Sequence, residues 1–102
     1  MSNRVYIDSC REYCVTRIQD IIVEGLSYLN VNLPRQGTVL LKPNVLSAHA
    51  PERAITTHPA VVEAIARMLL DNSNKVIIAD SCGQPGGTET ALKKSNIADL
   101  KL

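Results

Sequence analysis

Tryptophan and phenylalanine are absent from this 102-residue chain, and three tyrosines are its only aromatics. A core without large rings must be assembled from Val, Ile, Leu and Ala. That aliphatic, largely β-branched supply suits strands covered on both faces, as in parallel sheets. An excess of either charge is also missing: eleven Lys and Arg stand against ten Asp and Glu, for a net charge of +1. With no basic stripe and no aromatic platform, nucleic acid is not an expected partner. No apolar run approaches the roughly 20 residues that span a bilayer, so no membrane partner is expected either. The N-terminus carries no long signal-peptide core, which points to the cytoplasm. Cysteine is scarce, at three residues (Cys10, Cys14 and Cys82). An odd count at these spacings is no disulfide framework, and it falls short of the four thiolates of a ferredoxin-type cluster. Reduced thiols in a reducing compartment fit best.

What is present alternates. Val5-Tyr6-Ile7 reads as the centre of a first strand. From Arg11 to about Asn30, Cys14, Val15, Ile18, Ile21, Ile22, Leu26 and Leu29 recur at helical spacing. Thr38 to Lys42 is a second strand, almost wholly apolar and therefore expected in the sheet interior, and Pro43 ends it. A long loop from Asn44 to Thr56 leads to a second helix, for which Thr57 is the expected N-cap with Pro59 in the first turn. Val76 to Asp80 reads as a third strand, residues 81–87 as a glycine-rich loop, and Thr88 to Lys94 as a short third helix. The order β-α-β-α-β-α predicts an α/β fold, three layers (α/β/α) around a short parallel sheet with right-handed crossovers. The chain reads as one domain, residues 1–102, and as the N-terminal part of a longer protein, because the alternation stops after the third helix. A sheet this short has exposed edges, which makes self-association an expectation.

In open parallel sheets, ligands bind outside the carboxyl ends of the strands. That rule selects Ser9-Cys10, Lys42-Pro43-Asn44 and Asp80-Ser81 with the loop beyond. A lysine ending a buried strand either meets an anion or reaches solvent. Lys42 and Asn44 can therefore aim a cation and an amide at a phosphate or carboxylate, or simply close a turn. Thr57 and His58 begin a helix, where free N–H groups and the dipole favour anions. His58 could also be an acid–base group or, with His49, a weak metal pair, and capping is the simpler reading. Asp80 and Ser81 could bind a ligand or accept from their own turn. Gly83-Gln84-Pro85-Gly86-Gly87 matches neither G-x-G-x-x-G nor a P-loop. Cys14 falls on the inner helix stripe as core filler, and Cys10 sits near a helix start that could activate it.

Three of these segments together resemble a known family. Val39-Leu40-Leu41-Lys42-Pro43-Asn44-Val45-Leu46, then Thr56-Thr57-His58-Pro59, then Val76-Ile77-Ile78-Ala79-Asp80-Ser81 is similar to domain of unknown function 362. The resemblance covers most of the chain and has its motifs in order. Lys42, Asn44, Thr57, His58, Asp80 and Ser81 are the positions that match. Members are usually longer, and many carry ferredoxin-like 4Fe–4S motifs toward the C-terminus. The resemblance thus implies a redox-linked, iron–sulfur-associated protein, with no cluster ligands in this stretch and any cluster in a later region. The expected function is binding of an anionic small molecule at the strand rim. The alternative is a non-catalytic binding or scaffolding module that self-associates or docks in a redox assembly.

Overall fold

The computed structural model describes residues 3–45, 50–54, 56–80, 87–100 and 102. Their order is α1 (Val15–Leu29), β1 (Thr38–Leu41), a 3-10 turn (Pro51–Arg53), α2 (Pro59–Asp71), β2 (Lys75–Ile78), α3 (Gly87–Lys94) and a second 3-10 turn (Ile97–Asp99). The fold is mixed α/β with a parallel strand pair, as the alternation implies. One expected strand does not form: Val5-Tyr6-Ile7 pairs with neither β1 nor β2, and the sheet has two strands among the described residues. The cause lies in Tyr6. Its ring packs so closely on Gly25 of α1 that a Cβ there would come within 2.9 Å of it. Its hydroxyl meets Asp8 and Glu24, and Tyr28 and Arg4 complete the cluster. The segment is thereby held on the helix surface.

α1 starts at Val15, later than its periodicity suggests, and stops where Asn30 adopts a left-handed conformation (φ 57°, ψ 47°). Asparagine tolerates that conformation, and its own N–H and that of Val31 close the last turn on Ser27 and Leu26. α2 is the central element. Ala64 and Ala66, two residues and therefore about 200° apart around the helix, are both fully buried. α1 packs on one side of α2 and the strands on another. The Gln19 amide donates to the Ala64 carbonyl and ties the two helices together. On the strand side, Val45, Val62, Ala91 and Ile97 form a core that Ile78, Leu92 and Leu100 complete.

The register sets Thr38 opposite Lys75, Val39 opposite Val76, Leu40 opposite Ile77 and Leu41 opposite Ile78. Because successive strand residues alternate in direction, Val39, Leu41, Val76 and Ile78 are half-buried, while their neighbours face away. Leu40 (59% exposed) and Ile77 (43%) leave the second sheet face open. The doubly covered strand expected at 38–42 is thus covered on one face only. A polar knot fixes how β2 enters. Asn74 is buried, its amide donates to the carbonyls of Pro34 (2.6 Å) and Leu69 (2.9 Å), and its oxygen accepts from the Gly37 N–H. One side chain so joins the end of α2 to the start of β1. No helix among the described residues is long and apolar enough to cross a membrane.

Candidate functional site at the carboxyl ends of the strands

β1 and β2 run parallel, so the residues just beyond them emerge side by side. The Ala79 N–H donates to the Leu41 carbonyl, which extends the ladder past its last pair and delivers Lys42 and Asp80 to one place. Lys42 Nζ lies 2.6 Å from Asp80 Oδ1. The two ends differ sharply in environment: the Asp80 side chain is 4% exposed and that of Lys42 is 68% exposed. The other Asp80 oxygen accepts from the Val45 N–H at 2.9 Å. A buried carboxylate needs such donors: the bond from the Val45 N–H contributes on the order of 2 kcal/mol, and the pair with the mostly exposed Lys42 contributes less. Lys42 therefore does both things expected of it, meeting an anion and reaching solvent.

Asn44 and Thr57 form a second pair across the long loop. The Asn44 N–H donates to Thr57 Oγ1 at 3.0 Å, and the Thr57 N–H donates to the Asn44 carbonyl at 3.0 Å. Thr57 therefore closes the loop and does not cap α2. The N-cap is His58, whose Nδ1 accepts from the Ala60 N–H at 3.1 Å, followed by Pro59 at the first helical position. This corrects the assignment of the cap and the expected use of the helix end. The Ala60, Val61 and Val62 N–H groups all bond to His58, by ring or carbonyl, and Pro59 has none. The helix terminus thus offers no free donor to an anion.

His58 is also stacked on Tyr13, with ring centroids 3.6 Å apart and planes 4° from parallel. Burial holds its pKa below the usual histidine value, opposed by the carboxylate of Glu52. A neutral ring is what the cap requires, since a protonated Nδ1 cannot accept. Tyr13 was the residue sequence reasoning missed. An aromatic before a helix carries no signal of its own, and only the fold brings it to His58.

Leu41 and Pro43 from the β1 side and Thr57, Val61 and Ile65 from the α2 side line a cleft of about 190 Å³ next to Lys42. Its walls are apolar, and Lys42 and Thr57 are its polar edge. The Thr56 hydroxyl is buried with no hydrogen-bond partner among the described residues. Of the sequence-derived candidates, Lys42, Asn44, Thr57, His58 and Asp80 are placed: contacts join Lys42 to Asp80 and Asn44 to Thr57, while His58 joins Tyr13. Ser81, His49, Cys82 and the 83–86 part of the glycine loop lie outside the described residues. Ser9 and Cys10 do not follow a strand. Cys10 is exposed and its thiol donates to the Glu12 carbonyl at 3.0 Å.

The 4Fe–4S cluster that the resemblance places in a later region finds no ligand set among the described residues. Among the described residues no group of three His, Cys, Asp or Glu side chains could hold a metal ion. Lys42 occupies Asp80, and the Cys10 thiol is turned to its own backbone.

A family model described as domain of unknown function (DUF362) matches residues 39–101, which span every one of the six motif positions. No curated protein and no solved structure matches the chain.

Proposed function

Because the chain belongs to the family of the domain of unknown function DUF362, whose name assigns no chemistry, we propose from the geometry that it binds a small organic anion at Lys42. The observation that carries this reading is the asymmetric ion pair. Asp80, buried and held by the Val45 N–H, anchors one direction of the Lys42 ammonium and leaves its solvent side open. An ammonium has three donors, so an incoming carboxylate or phosphate finds donors beyond the one aimed at Asp80. The Thr57 hydroxyl accepts from Asn44 and keeps its own proton for a ligand oxygen. The apolar cleft beside them takes the carbon skeleton. Family resemblance and the free thiols of Cys10 and Cys14 support the wider reading, a domain working beside an iron–sulfur region in the reducing cytoplasm. No step of it runs through this chain's cysteines.

The test is an amide-resolved NMR titration with acetate, pyruvate and inorganic phosphate. Shifts are expected to concentrate at Lys42, Asn44 and Thr57, and to vanish in the double variant Lys42→Met/Asp80→Asn. That variant removes the cation without stranding a buried carboxylate, and its Asn oxygen still accepts from Val45. Shifts spread evenly over the surface, or equal shifts in the double variant, sink the reading.

One observation favours a second reading, association with another polypeptide. Leu40 and Ile77 sit opposite each other on the open sheet face. Covering both contributes on the order of 2 kcal/mol. A sedimentation profile that stays monomeric at high concentration would remove the self-associating form of it.

A further inference from the structure

A larger cavity of about 440 Å³, which shares Val61 with the Lys42 cleft, lies between the N-terminal segment and the two packed helices. Ile18, Ile21 and Ile22 of α1 and Val61 of α2 wall it, with Cys10, Arg11, Glu12 and Tyr13 of the N-terminal segment along its lip. Two contacts tie this cavity to the rim. Val61 lines both spaces. Tyr13, which lines the cavity, stacks on His58, the immediate chain neighbour of Thr57, which lines the cleft. The two spaces differ in chemistry: Lys42 brings a cation to the cleft, whereas the helix-borne walls of the cavity are aliphatic, with Arg11 and Glu12 at its lip.

Size decides what the pair would take. About 190 Å³ is below the range of roughly 300–1,000 Å³ typical of small-molecule sites, whereas the second cavity falls within it. An ion pair with a mostly exposed lysine contributes little by itself. Useful affinity must then come from apolar burial, and the aliphatic walls beyond Val61 are where that burial is offered.

We propose that the cleft and the cavity together form one site for an amphipathic organic anion, an alkyl carboxylate or alkyl phosphate. Its head group meets Lys42 and Thr57, and its alkyl chain passes Val61 to lie against Ile18, Ile21 and Ile22. The inference rests on the anion-binding reading of Lys42 and adds the chemical class of the ligand. Tyr13 and His58 flank the path, and Cys10 at the lip becomes a reporter of its occupancy.

The experiment uses acetate, hexanoate, octanoate and octanol below their aggregation limits. Calorimetry measures affinity, and mass spectrometry follows the rate of Cys10 alkylation by N-ethylmaleimide. Octanoate is expected to bind about fifteenfold tighter than hexanoate, as about fourfold per buried methylene requires. Octanoate should also slow Cys10 alkylation where acetate does not. The Lys42→Met/Asp80→Asn variant should bind octanoate about fivefold more weakly. Equal affinities for hexanoate and octanoate with an unchanged Cys10 rate overturn the chain site; acetate shifts persisting at Lys42 would show that the anion-binding reading survives. Octanol binding as tightly as octanoate overturns the placement of the head group. Absence of binding by acetate and octanoate alike removes both readings.

Discussion

Asp80 Oδ1 and Lys42 Nζ meet at 2.6 Å across the carboxyl ends of two parallel strands, with the carboxylate buried and the ammonium in solvent. The partnership fixes the exit of both strands, because Asp80 also accepts from the Val45 N–H, and Val45 is itself almost wholly buried in the core.

Replacing Asp80 by alanine should therefore damage the fold more than replacing it by asparagine does. Asp80→Ala leaves the buried Val45 N–H without its acceptor and is expected to cost about 2 kcal/mol. Asp80→Asn keeps an acceptor and should cost less. Urea unfolding of the two single variants checks the ranking, and an Asp80→Ala variant as stable as the parent protein would contradict it.

Asn74 is expected to be the most sensitive polar position outside the site. It makes three hydrogen bonds that no other single side chain replaces, two as donor and one as acceptor. Asn74→Ala should cost about 2–4 kcal/mol. Asn74→Asp should cost a similar amount, because it sets a carboxylate against two carbonyl oxygens that need donors. Chemical denaturation measures both.

His58 gives stability a pH dependence of known sign. Its folded-state pKa lies below the ordinary value because burial and the cap favour the neutral ring. The contribution is thus present above an unfolded pKa of about 6.5 and is lost as pH falls toward the lower folded value. His58→Asn keeps a capping oxygen and removes the titration. The variant's stability should change less than the parent's between neutral and mildly acidic pH. Parallel slopes for the two proteins would refute this.

Tyr6 should report on its packing against Gly25. Removal from water and its hydrogen bonds to Asp8 and Glu24 push the phenol up to about 12. In Gly25→Ala the new methyl group would meet the ring at 2.9 Å and displace it. The Tyr6 phenol is then expected to titrate closer to 10, as followed by NMR. The helix itself gains propensity from the same change, so global stability is the poorer readout.

A good part of the molecule was legible in the sequence. The repeat of Ile18, Ile21, Ile22 and Leu26 marks α1, Pro43 and Pro59 bound their elements, and the alternation of apolar runs with helices gives parallel pairing. Those signals are local, since period, breaker and cap act within a few residues. Lys42, Asn44, Thr57, His58 and Asp80 could be singled out because charged and polar residues at strand ends and helix starts are conspicuous. Their partners could not. Thr57 and His58 each carry a plausible capping side chain, and nothing in the neighbouring sequence decides between them. Asn44 settles it by taking the Thr57 hydroxyl from the far side of a loop.

By itself, then, the sequence determined the three helices and the two paired strands, their parallel topology and the strand rim as the place to look. Tertiary structure alone decided that Val5-Tyr6-Ile7 lies on α1 and not in the sheet, because Gly25 admits the Tyr6 ring. It also decided that Leu40 and Ile77 face outward, that Tyr13 covers His58, and that Lys42 is held by Asp80. Each of these depends on which distant surfaces meet. The free energy of such a contact belongs to the pair and has no trace in either residue's own neighbourhood.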